Sequence, residues 1–204
     1  MKEYQDHYFR KAKQENYPAR SVYKLQEIDA KFHLLRPGMR LLDLGASPGS
    51  WTLWASRRVG THGSVFACDL NPLTIALPDN VRFFQEDVFT RTQAFEEQLC
   101  AQAPFDGILS DMAPKTTGSV FTDQARSHNL ALEAYAVAKR YLRRQGAFVV
   151  KIFMGPDVES YLKTLKQDFA SVKTFKPKSS RSESKETFII GMDFCGNGSA
   201  QDHA

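Results

Sequence analysis

The chain has 204 residues, 42% apolar and 25% charged, a balance that suits one soluble domain with a real core and leaves too little for two. No apolar run approaches the roughly 20 residues of a membrane span, and the polar, aromatic N-terminus MKEYQDHYFRKAKQENYPAR lacks a secretory h-region. The net charge of +4 is uneven: residues 1–40 carry nine Lys/Arg against five Asp/Glu and residues 171–186 carry five against two, which predicts a polyanionic partner.

The first predicted helix, 20–33, turns Val22, Leu25, Ile28 and Phe32 to one side. RLLDLG (40–45) reads as a strand ending in glycine, followed by a helix at 51–59. SVFACDL (64–70) and VRFFQ (81–85) are the second and third strands, 92–102 a helix, and FDGILSD (105–111) the fourth strand. A long helix over 123–144 aligns Leu130, Ala134, Val137, Ala138 and Tyr141. GAFVVKIF (146–153) is the fifth strand, and 157–169 a helix with Val158, Tyr161, Leu162, Leu165 and Phe169 at helical spacing. SVKTFK (171–176) and TFIIGM (187–192) close the chain as two strands.

Alternating strands and helices predict an α/β fold: a seven-stranded, mostly parallel sheet with helices on both faces. No helix separates the last two strands, so the final one is expected to run antiparallel. The reading gives one domain over 1–194 and a small, polar tail, 195–204, expected to fray. Cys68, Cys100 and Cys195 are odd in number and widely spaced, with no disulfide or zinc pattern, which points to a reducing, cytoplasmic setting. The five histidines form no H-x-x-x-H pair, and no metal site is expected.

Ligands of open α/β sheets bind beyond the carboxyl ends of the strands. Those ends here carry DLGASPGSW (43–51), Asp69, Asp87, SDMAP (110–114) and Lys151. Gly45 and Gly49 permit a tight turn and close approach of a ligand before a helix. The run lacks the third glycine of a dinucleotide fingerprint, and no phosphate loop is present. Asp69 can accept from both hydroxyls of a ribose, or serve the turn before Asn71-Pro72. Asp87 can meet an adenine amino group, or cap the helix that follows. A ligand with a ribose and no obligatory pyrophosphate fits S-adenosyl-L-methionine better than NAD. Lys151 sits in an otherwise apolar strand, where an ammonium without partner or task is costly.

The motifs DLGASPGSW, SDMAP, FVVKIF and SSRSESKETFII (179–190), with RSVYKLQEID (20–29), resemble the FtsJ-type (RrmJ-like) ribose 2′-O-methyltransferases. The similarity runs from about Tyr4 to Asp193. It implies a Rossmann-like class I methyltransferase fold and a Lys-Asp-Lys-Glu tetrad at Lys24, Asp111, Lys151 and Glu186. It also implies cofactor contacts at Gly49, Trp51, Asp69, Asp87 and Asp111. The chain departs from the family's A-P-G-G-W loop at Ser50, which a negative φ would accommodate. Taken alone, Lys24 would read as solvated helix surface, Asp111 as a loop cap before Pro114, and Glu186 as an exposed strand start.

A hydroxyl acceptor also fits by exclusion. No Pro-Cys loop offers the nucleophile of cytosine C5 methylation, and Asp111-Met112-Ala113-Pro114 replaces the [DN]-P-P-[FY] of exocyclic amine methylation. Lys151 can take the hydroxyl proton as a neutral amine, or stabilise the oxygen as an ammonium. Tyr4, Tyr8, Phe9, Tyr17 and Tyr23 interleave with Arg10, Lys11, Lys13, Arg20 and Lys24, suited to base stacking and phosphate contacts. At least two of these rings are expected merely to pin the segment to the domain. Lys173, Lys176, Lys178, Arg181 and Lys185 form a second basic stretch beside Glu186.

The resemblance implies an enzyme acting on a uridine of large-subunit ribosomal RNA, with transfer RNA or an mRNA cap as alternatives; a monomer is expected. A nucleotide-dependent oxidoreductase and a non-catalytic RNA-binding factor are the competing classes.

Overall fold

The computed structural model describes residues 2–181 and 183–196, with side chains from His7 onward. Residues 197–204 of the tail and the ring of Tyr4 lie outside the described part. Thirteen elements follow one another. They are α1 (Lys2–Gln14), α2 (Val22–Phe32), β1 (Arg40–Leu44), α3 (Ser50–Val59), β2 (Ser64–Cys68), β3 (Val81–Phe84), α4 (Gln93–Gln102), β4 (Phe105–Ser110), α5 (Val120–Tyr141), β5 (Leu142–Phe153), α6 (Val158–Asp168), β6 (Phe169–Phe175) and β7 (Glu186–Phe194).

The seven strands form one sheet in the order β3-β2-β1-β4-β5-β7-β6. Strands β1 to β5 pair in parallel, and β7 runs antiparallel to both neighbours. The last strand thus has the expected direction, but it enters the sheet between β5 and β6. Strand β5 starts at Leu142, earlier than expected, with a register irregularity against β4 between Phe105 and Gly107.

Alternation along the strands sorts the core into two layers. Leu42, Leu44, Phe148, Val150 and Ile152 join the layer that holds Phe95, Tyr135 and Tyr161 of α4, α5 and α6. Leu41, Val149 and Phe188 join the layer that holds Leu25 and Ile28 of α2 and Trp51 of α3. Period two then places Lys151 on the α2/α3 side with Val149. Lys151 pairs with Phe188 across the ladder, so Glu186, two residues before Phe188, shares that side.

Helix α1 was not legible in the sequence, because its mean hydropathy is low and Ala12 is the residue it buries most deeply among those described. It is held by a small cluster of Ala12, Tyr17, Val22 and Tyr23, with Tyr8 packed against it. Tyr17 and Tyr23 therefore act as pins, as expected of at least two rings, whereas Phe9 is exposed. Among the described residues no helix is long and apolar enough to cross a membrane.

Candidate active site

Strand register brings the polar residues to one pole. Leu44 of β1 lies opposite Cys68 of β2 and Ser110 of β4, so Gly45, Asp69 and Asp111 leave the sheet side by side. Gly45 (φ 75°) and Gly49 (φ 112°) both occupy the left-handed region. The Gly45 and Ala46 amides donate to the Cys68 carbonyl at 3.0 and 3.1 Å, which folds the loop over the end of β2. Asp69 ties the loop down: one carboxylate oxygen accepts from the Ser47 amide at 3.0 Å, the other from the Asn71 amide at 2.7 Å. The turn role weighed for Asp69 is thus real. A carboxylate has about four lone-pair sites, so capacity for ribose hydroxyls remains.

Lys151 and Asp111 form an ion pair at 2.9 Å, and Lys151 also donates to the Asp111 carbonyl. Lys24 of α2 pairs with Glu186 of β7 at 2.6 Å, its Nζ 5.9 Å from the Phe188 ring centre. Burial alone would raise the Glu186 pKa. The charge and hydrogen bond of Lys24 outweigh it, helped by the Ser180 hydroxyl and the charge of Lys151, and the net shift is downward. Lys151 and Glu186 stand on the same side of the β5–β7 ladder, two positions apart in register, which brings the two pairs into one unit. Beside this unit is a pocket of about 380 Å³, with Arg20, Ser21 and Lys24 on one wall and Arg181, Ser184 and Glu186 on the other. Among the described residues no group of His, Cys, Asp or Glu side chains is arranged to hold a metal ion.

The FtsJ-like methyltransferase family model matches residues 17–194. The chain is 62% identical over 196 residues to the ribosomal RNA large subunit methyltransferase E of Oleidesulfovibrio alaskensis, covering 96% of this chain and 95% of the relative. It is 56% identical over 194 residues to the protein of the same name from Lawsonia intracellularis, covering 95% and 97%. A solved structure described as a ribosomal RNA methyltransferase from Plasmodium falciparum superposes with a TM-score of 0.78 at 26% identity, covering 88% of this chain and all (100%) of that one.

The chain belongs to the FtsJ-like methyltransferase family.

Its membership disposes of the oxidoreductase reading. Two further residues that the FtsJ-like resemblance assigns to the cofactor have visible structural tasks. The Trp51 indole is 3% exposed, donates to the Ser21 carbonyl at 2.9 Å and packs on Phe188. It fixes the chain three residues before Lys24. Asp87 is not a helix cap, because Thr92 caps α4 by accepting from the Phe95 amide at 3.2 Å. Asp87 accepts from the Phe89 amide and the Thr90 hydroxyl, both at 2.9 Å, and so closes a local turn. Ser50, the departure from the FtsJ-like glycine, is absent from the positive-φ residues, as expected. Its hydroxyl also bridges to residue 19, donating to the Ala19 carbonyl at 3.0 Å and accepting from the Ala19 amide at 2.8 Å. A glycine could not make that tie.

The sequence by itself does not single out Asp43, because an acid inside RLLDL looks like a strand-face residue. It is fully buried, accepts from the Thr52 hydroxyl at 2.6 Å through Oδ2, and leaves Oδ1 without a partner among the described residues. Burial pushes its pKa up to about 7, against the Thr52 hydrogen bond and with help from the charges of Asp111 and Asp69. For an acid with a raised folded pKa, the stabilising contribution is complete below the ordinary value near 3.8 and disappears as pH rises through about 7. Asp43→Asn is therefore expected to flatten the fall in melting temperature between those limits, measured by thermal melts across pH. An unchanged slope would refute the assignment.

Proposed function

We propose that this chain is an S-adenosyl-L-methionine-dependent 2′-O-methyltransferase of large-subunit ribosomal RNA, with a uridine ribose as acceptor. The observation that carries it is the meeting of the Lys151–Asp111 and Lys24–Glu186 pairs beside the glycine loop. The names of the bacterial relatives support the choice of RNA.

The residues fit the cofactor in two ways. A Cβ at Gly45 would fall 2.4 Å from Met112 Cγ, and one at Gly49 would fall 2.7 Å from Ile75 Cδ1, so the loop is close-packed in a form only glycine provides. Asp69, Asp87 and Asp111 follow the ends of β2, β3 and β4. Such an acidic pole suits a cationic ligand and disfavours a pyrophosphate. Gly45, Gly49, Asp69 and Asp111 are the residues we assign to hold it, Asp69 through the ribose hydroxyls. Asp87 and the backbone of Trp51 complete the proposed set. When bound, S-adenosyl-L-methionine supplies a methyl group already activated on a sulfonium.

What remains for the protein is alignment and management of one proton. Lys151 donates to the Asp111 carbonyl and is ion-paired with its carboxylate, which leaves a position on its nitrogen for the ribose hydroxyl. That position takes the proton if it is a lone pair, and stabilises the developing alkoxide if it is an N–H. Lys24 and Glu186 form the wall against which the ribose is positioned. The two basic stretches, 1–40 and 171–186, flank this wall, and we assign them the RNA backbone.

The test is to incubate the chain with large-subunit ribosomal RNA, free and assembled, and S-adenosyl-L-methionine labelled in its methyl group. Nuclease digestion and mass spectrometry are expected to place the label in 2′-O-methyluridine. Label in a base or in protein would refute the acceptor, and binding without turnover would favour the RNA-binding factor.

A further inference from the structure

Glu27 lies on α2 three residues after Lys24, so the two side chains share a helix face. Lys24 reaches Glu186. Glu27 reaches the turn before it: its Oε2 accepts from the Lys178 amide at 2.6 Å and its Oε1 from the Ser179 amide at 2.8 Å. Arg20 closes the contact by donating to the Ser179 carbonyl at 2.7 Å. The turn itself is closed by the Ser180 amide on the Pro177 carbonyl at 3.1 Å. Such a turn directs its two central amides outward, and here one carboxylate takes both in charge-assisted hydrogen bonds.

The turn needs this external support. The β6–β7 ladder ends at the Phe175–Phe188 pair, so residues 177–181 have no place in the sheet. Helix α2, by contrast, is fixed. Leu25 and Ile28 are fully buried, and Asp29 accepts from the Leu35 amide at 2.9 Å and pairs with Arg58 at 2.9 Å. The turn in its turn delivers Arg181 to the pocket wall. The pocket is lined by Arg20, Ser21 and Lys24 on one side and by Arg181, Ser184 and Glu186 on the other, and Glu27 ties the helix that carries Lys24 to the turn that ends at Arg181.

We infer that Glu27 is a positioning residue that sets the acceptor-nucleotide pocket by clamping the 177–181 turn to α2. The inference rests on the proposed RNA methyl transfer. Glu27 touches no reacting group, so its effect belongs to the RNA half of the reaction and not to the cofactor half.

The experiment compares Glu27→Ala and Glu27→Gln with the unaltered full-length chain. It measures S-adenosyl-L-methionine affinity by calorimetry, kcat and KM on large-subunit ribosomal RNA, and amide hydrogen exchange. For Glu27→Ala, cofactor affinity stays at the unaltered level. kcat/KM on RNA falls on the order of 10- to 100-fold, the scale of a misplaced substrate. Exchange quickens at Lys178 and Ser179 while the amides of 188–190 keep their protection. Glu27→Gln falls between, because one carbonyl oxygen can serve only one of the two amides well and its NH₂ opposes the other.

The clamp is overturned if Glu27→Ala turns over normally, or if exchange at Lys178 and Ser179 does not change. It is also overturned if cofactor affinity and the protection of 188–190 collapse together, since Glu27 would then serve the fold at large. An unaltered chain that binds cofactor yet methylates no RNA would instead sink the proposed function, and with it the clamp.

Discussion

Lys151→Ala lowers kcat for methyl transfer by about 10²- to 10⁴-fold, the range for loss of a positioned proton-transfer or charge-stabilising group, while S-adenosyl-L-methionine still binds. The expectation follows from the place of the amine. Lys151 is 7% exposed, on the α2/α3 side of a central strand, and is paired to Asp111 at 2.9 Å. Removing it also strands a largely buried carboxylate. Breaking such a pair costs about 3–5 kcal/mol, and the 16% exposure of Asp111 places the cost at the lower end.

A second variant separates chemistry from folding. Lys151→Met combined with Asp111→Asn removes both charges and keeps the apolar stem, so it regains much of the lost stability but none of the turnover. Single-turnover assays and denaturant midpoints read the two effects independently. A Lys151→Ala protein with unreduced turnover would remove Lys151 from the chemistry altogether.

Gly45→Ala carries the largest expected cost to the cofactor loop. At φ 75° a side chain is strained, and the new Cβ would lie 2.4 Å from Met112 Cγ and 3.2 Å from Met112 Cα. The first contact can yield by a rotation, but the second is backbone. Left-handed strain and overpacking together cost about 2–4 kcal/mol. Met112 follows Asp111, so relief of the clash shifts the residue that holds Lys151. Weaker cofactor binding and slower turnover are both expected, by calorimetry and steady-state assay.

Gly118→Ala is the control. Its φ is 85°, and nothing lies within 4 Å of the added Cβ. Only the conformational penalty of about 1–2 kcal/mol applies, with little effect on binding. Equal losses in the two variants would show that the Met112 contact is immaterial.

Much of the site was legible along the chain because its parts lie at predictable points of a period. A strand of continuous apolar residues between polar ends announces a buried parallel strand, and the residue just after it must stand at the sheet's edge. This reasoning located Gly45, Asp69 and Asp111, Lys151 stood out as a charge inside such a strand, and the register puts all four toward one pole of the sheet. The missing helix between the last two strands likewise foretold the reversed direction of β7. The resemblance supplied Lys24 and Glu186, which no local pattern singles out.

What the amino-acid order determined by itself was the succession of elements and the faces of their side chains, since both follow from hydrophobic periods of two and 3.6 residues that act over a few positions. Only the tertiary structure decided which distant groups meet. It threaded β7 between β5 and β6, turned the Trp51 ring toward Ser21, gave Ser50 its tie to Ala19, left Asp43 with a bare oxygen, and joined Glu27 to amides 151 and 152 residues away. A carboxylate and a backbone amide far apart in the chain leave no periodic trace, because their attraction exists only after the apolar layers have brought the two segments together.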